Sequence, residues 1–120
     1  MGDKPRFRLI VLEQASDFLD ALPMQVRDKI DYNIKKVQRG FMDAEIFKKL
    51  GNTDIWEFRT LYEGKAYRLF AFWDARTDTL VVATHGIVKK RQKTPAKEIA
   101  KAERIRQLYF EDPNNPMIWK

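Results

Sequence analysis

Residues 55–73, IWEFRTLYEGKAYRLFAFW, contain two runs rich in aromatic and aliphatic residues, separated by Glu63-Gly64. Such runs are typical of strands, and an acidic residue followed by glycine favours a tight turn between them. This stretch therefore predicts a β-hairpin with strands Ile55–Tyr62 and Lys65–Trp73. A third strand-like segment, Thr79–Val88, follows after a short connection, so we expect an antiparallel meander.

Before the hairpin, the sequence predicts one strand and two helices. Arg6–Leu12 has the continuous apolar character of a short strand, and Ser16 is a candidate N-cap for a helix over Asp17–Leu22. A second helix follows at Pro23 and ends at Gly40. Its apolar stripe consists of Val26, Ile30, Ile34 and Val37.

A last helix is predicted to begin at Pro95, with Thr94 as its N-cap. Its buried stripe is expected to consist of Ile99, Ala102, Ile105 and Tyr109. Residues 41–52 predict only a docked loop or a short turn. Together these elements predict an α+β fold whose helices pack against one face of the sheet. We assign residues 1–110 to a single domain and residues 111–120 to a C-terminal tail.

The composition is that of one ordinary globular domain. A chain of 120 residues can bury a core, which its eight Phe, four Tyr and three Trp help to supply. The lack of cysteine excludes disulfides and thiolate metal sites, and a single histidine excludes a multi-histidine metal site in the monomer. We expect no metal and no cofactor. The polar N-terminus and the lack of a long apolar run predict a cytoplasmic protein without a signal peptide or membrane segment.

The positive charge is concentrated in one segment, His85–Gln107, which holds eight Lys or Arg residues against two Glu. This segment therefore carries +6, which equals the net charge of the whole chain. The remaining acidic and basic residues balance. A charge excess confined to one loop and one helix predicts a surface that faces a polyanion.

Strand alternation predicts a basic sheet face opposite the helices. The residues expected there are Arg59, Arg68, His85 and Lys89, with Phe70 and Phe72 as stacking rings. Cations beside exposed rings are typical of single-stranded RNA binding. Simpler interpretations stay open: the arginines pair with Glu57 and other acids, the histidine is structural, and the basic helix binds an acidic protein partner.

Four motifs carry more information than periodicity does. They are IWEFR at 55–59, YR at 67–68, HGIVKKRQKTP at 85–95 and EIAKA at 98–102. They resemble the RelE/ParE superfamily of toxins, and in particular its phage-derived HigB-like branch. The resemblance extends from Arg6 to about Phe110. It implies a compact microbial RNase-like fold and a toxin that cleaves mRNA in the ribosomal A site.

The resemblance also implies partners. A co-expressed antitoxin would neutralise the toxin, and in HigB-like systems the antitoxin is usually a helix-turn-helix protein. Such an antitoxin represses the operon together with its toxin, so the toxin reaches operator DNA only through it. The other implied partner is the ribosome with its mRNA.

Metal-free RNA cleavage requires a base for the 2′-hydroxyl, cations for the phosphorane and an acid for the leaving oxygen. We assign catalytic roles to Arg68, His85 and Lys90, and RNA binding to Arg59, Lys89 and Lys93. Arg68 matches the family's strand arginine and is expected to stabilise the phosphorane. His85 is expected to transfer a proton because the ordinary pKa of histidine lies near neutrality. We expect Arg68→Ala to abolish growth arrest while the protein stays folded.

The chain departs from RelE in two respects. It has Ile55 and Glu57 where RelE carries lysines, and it lacks the tyrosine that RelE has near the start of its last helix. The identities of the general base and acid therefore do not transfer. Glu57 is either a base or, as is more common for a strand glutamate beside Arg59, an orienting ion-pair partner.

Two other functions stay open. A ParE-like toxin would inhibit gyrase by protein binding, although such toxins generally lack a basic cluster like Lys89–Lys93. A catalytically inactive homologue would act only in a complex with a helix-turn-helix antitoxin.

Overall fold

The structure is a computed structural model that describes residues 6–41, 43–76, 80–89, 93–112 and 114–115. Within these residues the chain forms five strands and three helices, which confirms the predicted α+β class. In chain order they are β1 (Arg8–Val11), α1 (Glu13–Asp20), α2 (Met24–Gln38), β2 (Phe47–Lys49), β3 (Trp56–Tyr62), β4 (Lys65–Asp74), β5 (Leu80–Lys89) and α3 (Ala96–Glu111).

The strands form one sheet in the order β1-β5-β4-β3-β2. The predicted antiparallel meander of β3, β4 and β5 is confirmed. The turn between β3 and β4 has positive φ at both Glu63 and Gly64, as a type I′ turn requires. By contrast, β1 pairs parallel to β5, which makes the sheet mixed. Strand propensity does not specify which edge a separate N-terminal strand joins, so this pairing was outside the prediction.

Two local predictions were wrong. Ser16 does not cap α1, because its backbone N–H donates to the carbonyl of Leu12 at 2.9 Å and the helix already begins at Glu13. Residues 47–49 form the edge strand β2, whose Phe47 pairs with Phe58 of β3, where the sequence predicted only a loop or turn. A three-residue strand is too short to produce a readable alternation.

The helices cover both faces of the sheet, so the prediction of a single covered face was wrong. α1 and α2 pack on one face, and the predicted stripe of α2 is buried there together with Phe58, Leu69, Ala71, Val81 and Ala83. α3 packs on the opposite face, against Phe70, Phe72, Leu80 and Val82. Phe70 and Phe72 are therefore completely buried, and they are not the exposed stacking rings that alternation predicted.

α3 is attached to the sheet by apolar contacts and by one buried hydrogen bond. Ala102, Ile105 and Tyr109 of the predicted stripe are buried, while Ile99 is partly buried. The hydroxyl of Tyr109 donates to Oδ2 of Asp74 at 2.9 Å, at the end of β4. Hydrogen bonds from Arg76 are the main cause that lowers the pKa of Asp74. This attachment leaves the opposite end of the same sheet face uncovered.

Gly86 permits the close approach of α1 to β5. A Cβ atom at this position would overlap the ring of Phe18 on α1. Packing therefore explains the glycine of the His85-Gly86 motif, because any side chain at this position would push α1 away from β5.

We predict that Gly86→Ala lowers the free energy of unfolding by about 1–3 kcal/mol, because the added methyl group has no room beside Phe18. Urea unfolding of the single variants and of the double variant with Phe18→Ala measures this effect. The alanine should cost much less once the ring is removed. An equal cost in both backgrounds would show that the ring is not the cause.

Candidate nucleic-acid interface

The register of the meander places two rows of side chains across the uncovered end of the α3-side face. The first row consists of Arg59, Arg68 and Ile87, and the second of Leu61, Ala66 and Lys89. A groove of about 470 Å³ lies over these rows. Its lining consists of Glu45, Arg59, Thr60, Leu61, Ala66 and Arg68. The groove brings together two of the arginines predicted for RNA and an apolar side chain, Leu61, that is 71% exposed.

Glu57 lies beside this groove as a buried carboxylate, 3% exposed. Its Oε2 accepts a hydrogen bond from Nη1 of Arg68 at 2.9 Å and lies 3.6 Å from Nε of Arg59. Its Oε1 accepts a hydrogen bond from Oγ1 of Thr94 at 2.9 Å. One carboxylate therefore joins β3, β4 and the segment that precedes α3. This geometry is that of an orienting ion pair, the second of the two roles left open for Glu57.

Arg68 is as buried as its partner, with a side chain that is 3% exposed. Burial lowers the pKa of Arg68, while the charge of Glu57 raises it and that of Arg59 lowers it. Since arginine remains protonated in proteins, the two side chains form a true ion pair below the groove. Removal of the arginine would leave a buried carboxylate with little compensation. Arg68 therefore stabilises the fold as well as lining the groove.

Lys89 extends the cationic cluster along β5. Burial is the main cause that lowers the pKa of Lys89, and the positive charge of Arg68 lowers it further, whereas Glu57 raises it. The lysine is thus within electrostatic reach of the buried ion pair and releases its proton more readily than an exposed lysine. The positive charges of Arg59, Arg68 and Lys89 outnumber the carboxylates of Glu57 and Glu45, so this end of the sheet attracts anions.

His85 occupies a different environment. A β-bulge between β4 and β5 breaks the alternation after Ala83, so that His85 pairs with Phe70 on the α3-side face. Its ring is 2% exposed and stacks on Phe70 with centroids 4.8 Å apart. Nδ1 lies 3.0 Å from Oγ1 of Thr84, and Nε2 lies 3.1 Å from Oε1 of Glu98. His85 is therefore covered by α3 and does not line the groove, and both its nitrogens have protein partners.

The two remaining predicted lysines differ in what can be said of them. Lys93 is exposed and directly precedes Thr94, the residue whose hydroxyl donates to Glu57. Lys90 lies outside the described residues.

Sequence patterns missed the roles of Thr94 and Glu98. Thr94 is a residue type that often caps helices, and the sequence predicted it as the N-cap of α3. In the structure Pro95 is the N-cap residue, and no side chain caps the helix. The Thr94 hydroxyl instead donates to Glu57, thirty-seven positions away in the chain. Glu98 sits in the first turn of α3, where an acidic residue is expected for reasons of the helix dipole alone. Contacts between residues so distant leave no signal in a local pattern.

The described residues contain neither a metal-binding cluster nor a membrane span. Nowhere in this part of the chain do three or more His, Asp or Glu side chains converge as metal ligands would. The helices within the same ranges are all too short or too polar to cross a bilayer.

The burial of His85 predicts a specific pH dependence of stability. Burial lowers the pKa of His85 below its ordinary value of 6.5, and this outweighs the hydrogen bond to Glu98, which raises it. The unfolded chain therefore binds more protons, and the free energy of unfolding should fall as the pH drops below about 6.5. Urea unfolding between about pH 7 and pH 5 should show this loss in the wild type and a smaller slope in His85→Gln. Identical slopes would mean that His85 is not held neutral.

Comparison with solved structures identifies the fold. An arginine-substituted mutant of Escherichia coli toxin RelE in the free state aligns with a TM-score of 0.60 and 19% identity, covering 82% of this chain and 96% of that chain. A chain of the toxin–antitoxin complex RelBE2 from Mycobacterium tuberculosis aligns with a TM-score of 0.55 and 18% identity, covering 74% and 100% respectively. The predicted RelE-like fold is thereby confirmed.

Comparison with protein families gives a match at the level of sequence. The model of the phage-derived protein Gp49-like family (DUF891) matches residues 17–110, which include the groove lining, Glu57, Thr94 and all of α3 except Glu111. Comparison with curated protein sequences returns no significant match. Because the family model spans well over half of the chain, this protein belongs to the phage-derived Gp49-like family, built on the fold of toxin RelE.

Proposed function

We propose that this protein is the toxin of a toxin–antitoxin pair and that it cleaves mRNA on the ribosome without a metal ion. The observation that carries the proposal is the groove on a RelE-type sheet: Arg59 and Arg68 line it and lie against one buried carboxylate, and Lys89 stands in the row beside them. An arrangement of fixed cations around an open groove suits a substrate whose reacting group is a phosphodiester.

The arginines supply the electrostatic part of the chemistry. Attack of a 2′-hydroxyl on the adjacent phosphate produces a phosphorane with an additional negative charge. Arg68 is held by Glu57 before substrate binds, and Arg59 lies on the neighbouring strand directly opposite it. Preorganised cations stabilise such a transition state without a reorganisation cost at the moment of reaction. We assign phosphorane stabilisation to Arg68 and a second phosphate contact to Arg59.

Proton transfer is assigned differently from the expectation based on sequence. A general base has to reach the substrate hydroxyl directly or through one water. For His85 this would require displacement of Glu98 and of the start of α3 from its Nε2. Lys89 lies in the outer row beside the groove and has a lowered pKa. We therefore propose that Lys89, in addition to binding RNA, accepts the 2′-hydroxyl proton as the 2′-oxygen bonds to phosphorus. The P–O5′ bond then breaks and the leaving 5′-oxygen takes its proton from solvent, while His85 supports the packing of α3.

The basic residues around the groove fit a larger RNA surface. Lys90 and Lys93 follow Lys89 in the sequence, and we propose that they bind phosphates next to the one that is cleaved. Exposed Lys97 and Arg104 extend the positive charge along α3. Phosphate contacts of this kind provide affinity and position without sequence preference, as binding within a ribosome requires.

We further propose an antitoxin partner, of the helix-turn-helix type, and a cytoplasmic location. One of the similar structures is itself a toxin–antitoxin complex, which supports the partner in general but not its type. Contact with operator DNA would then occur through the antitoxin. Gyrase inhibition is the weaker candidate, since binding to a protein surface does not require preorganised cations around a groove.

Arg59→Gln provides the cleanest test of the groove. Arg68 is less suitable because its replacement by alanine leaves the buried Glu57 carboxylate with only Thr94 and the more distant Arg59, so that a loss of cleavage would not distinguish chemistry from stability. We expect Arg59→Gln to reduce mRNA cleavage by about 100- to 1,000-fold, the cost of one hydrogen-bond donor to a developing charge. Primer-extension mapping of cellular mRNA after induction measures cleavage.

The matched control for this test is Arg27→Gln. Arg27 of α2 forms a surface ion pair at 2.9 Å with Asp20 at the end of α1, so the same charge is lost away from the groove. The control should retain full cleavage. If the wild type leaves mRNA intact, the proposed function is wrong; if both variants behave alike, the groove is not the RNA site.

The proposed role of Lys89 as a general base predicts a specific pH–rate profile. A lysine acts as a base only when neutral, and its lowered pKa increases the neutral fraction at a given pH. Single-turnover cleavage of ribosome-bound mRNA should therefore accelerate with increasing pH in the wild type more steeply than in Lys89→Arg, which stays charged. A parallel profile in the arginine variant, at an undiminished rate, would restrict Lys89 to phosphate binding.

A further inference from the structure

We propose that the hydroxyl of Thr94 is a positioning group: it holds the Glu57 carboxylate, which in turn orients Arg68 for a phosphate in the groove. The inference deepens the proposed function and rests on it. Thr94 belongs to the Lys93-Thr-Pro95 motif, which in the sequence predicted only the start of a helix.

The Glu57 carboxylate is held at both oxygens. Oε2 receives the Arg68 guanidinium at 2.9 Å, and Oε1 receives the Thr94 hydroxyl, also at 2.9 Å. With only the first contact, the carboxylate could rotate about its terminal torsion, which is broad and nearly two-fold for glutamate. The second contact removes this freedom. Because Nη1 of Arg68 donates to this same carboxylate, a carboxylate fixed by the Thr94 hydroxyl limits the orientations available to Arg68.

The backbone around Thr94 is arranged to keep its hydroxyl in place. Pro95 confines the residue before it to extended conformations, since the proline ring clashes with a helical predecessor. Pro95 is also the N-cap residue of α3, and no side chain caps the helix. The Thr94 hydroxyl is therefore available to Glu57 instead of the helix N-terminus. Valine has the same shape as threonine but no donor, so the hydroxyl can be removed alone.

The link has a consequence for the kinetics of the proposed reaction. Thr94 does not line the groove, so its loss should leave RNA affinity, which comes from exposed cations such as Lys93, nearly unchanged. A misoriented Arg68 should instead lower the rate of the chemical step. A residue with a purely structural role would change thermal stability without separating these two quantities.

The experiment compares Thr94→Val with Thr94→Ser, which keeps the donor. Thr53→Val is the matched control, since it removes a threonine hydroxyl whose hydrogen bonds go to backbone groups of Leu50 and Ile55 instead of the Glu57 carboxylate. Two readouts are used: single-turnover cleavage of ribosome-bound mRNA as a function of toxin concentration, and the NMR signal of the Arg68 Nε–H group in free protein. Thermal melting verifies that each variant is folded.

We expect Thr94→Val to lower the maximal rate about tenfold at an unchanged half-saturating concentration, the effect of losing one hydrogen bond to a charged group. The Arg68 signal should shift and broaden in this variant, and Thr94→Ser and Thr53→Val should resemble the wild type in both readouts. A wild-type Arg68 signal in Thr94→Val would overturn the inference. If the wild type cleaves no RNA, the proposed function fails, and the NMR comparison still decides whether Thr94 orients Arg68.

Discussion

A buried carboxylate requires compensation, and the arrangement of the candidate site follows from this requirement at Glu57. Removing the carboxylate from water is costly unless an opposite charge and further donors meet it. Arg68 provides the charge, Thr94 provides a donor from another part of the chain, and Arg59 lies within 3.6 Å. These contacts offset the cost of burying the Glu57 carboxylate. They also fix the two arginines in positions that they would not keep if their side chains were exposed.

The position of α3 divides one face of the sheet into a covered, apolar part and an uncovered, cationic part. Where α3 packs, Phe70, Phe72 and His85 are sealed from solvent and form a second core. Beyond the start of the helix, α3 does not cover the rows that contain Arg59, Arg68 and Lys89, and the groove lies over them. The apolar part provides the rigidity that preorganised cations require, and the open part provides room for a ligand.

Much of this arrangement could be predicted. The apolar stripes identified α2 and α3, the Glu63-Gly64 pair located the hairpin, and strand alternation correctly grouped Arg59 and Arg68 with Glu57 on one face. Prediction was wrong where contacts depend on distant parts of the chain. It left Phe70 and Phe72 exposed because alternation distinguishes two faces without showing which of them a later helix covers.

The sequence by itself determined seven of the eight elements, the alternation of side chains along β3 and β4 and the location of the charge, because each of these depends on neighbouring residues and on the 2- and 3.6-residue periods. Only the tertiary structure decided that α3 buries His85, that a bulge after Ala83 turns this ring toward it, and that Thr94 reaches Glu57. These features arise from packing between segments far apart in the chain, and side-chain burial and hydrogen-bond partners are set by that packing.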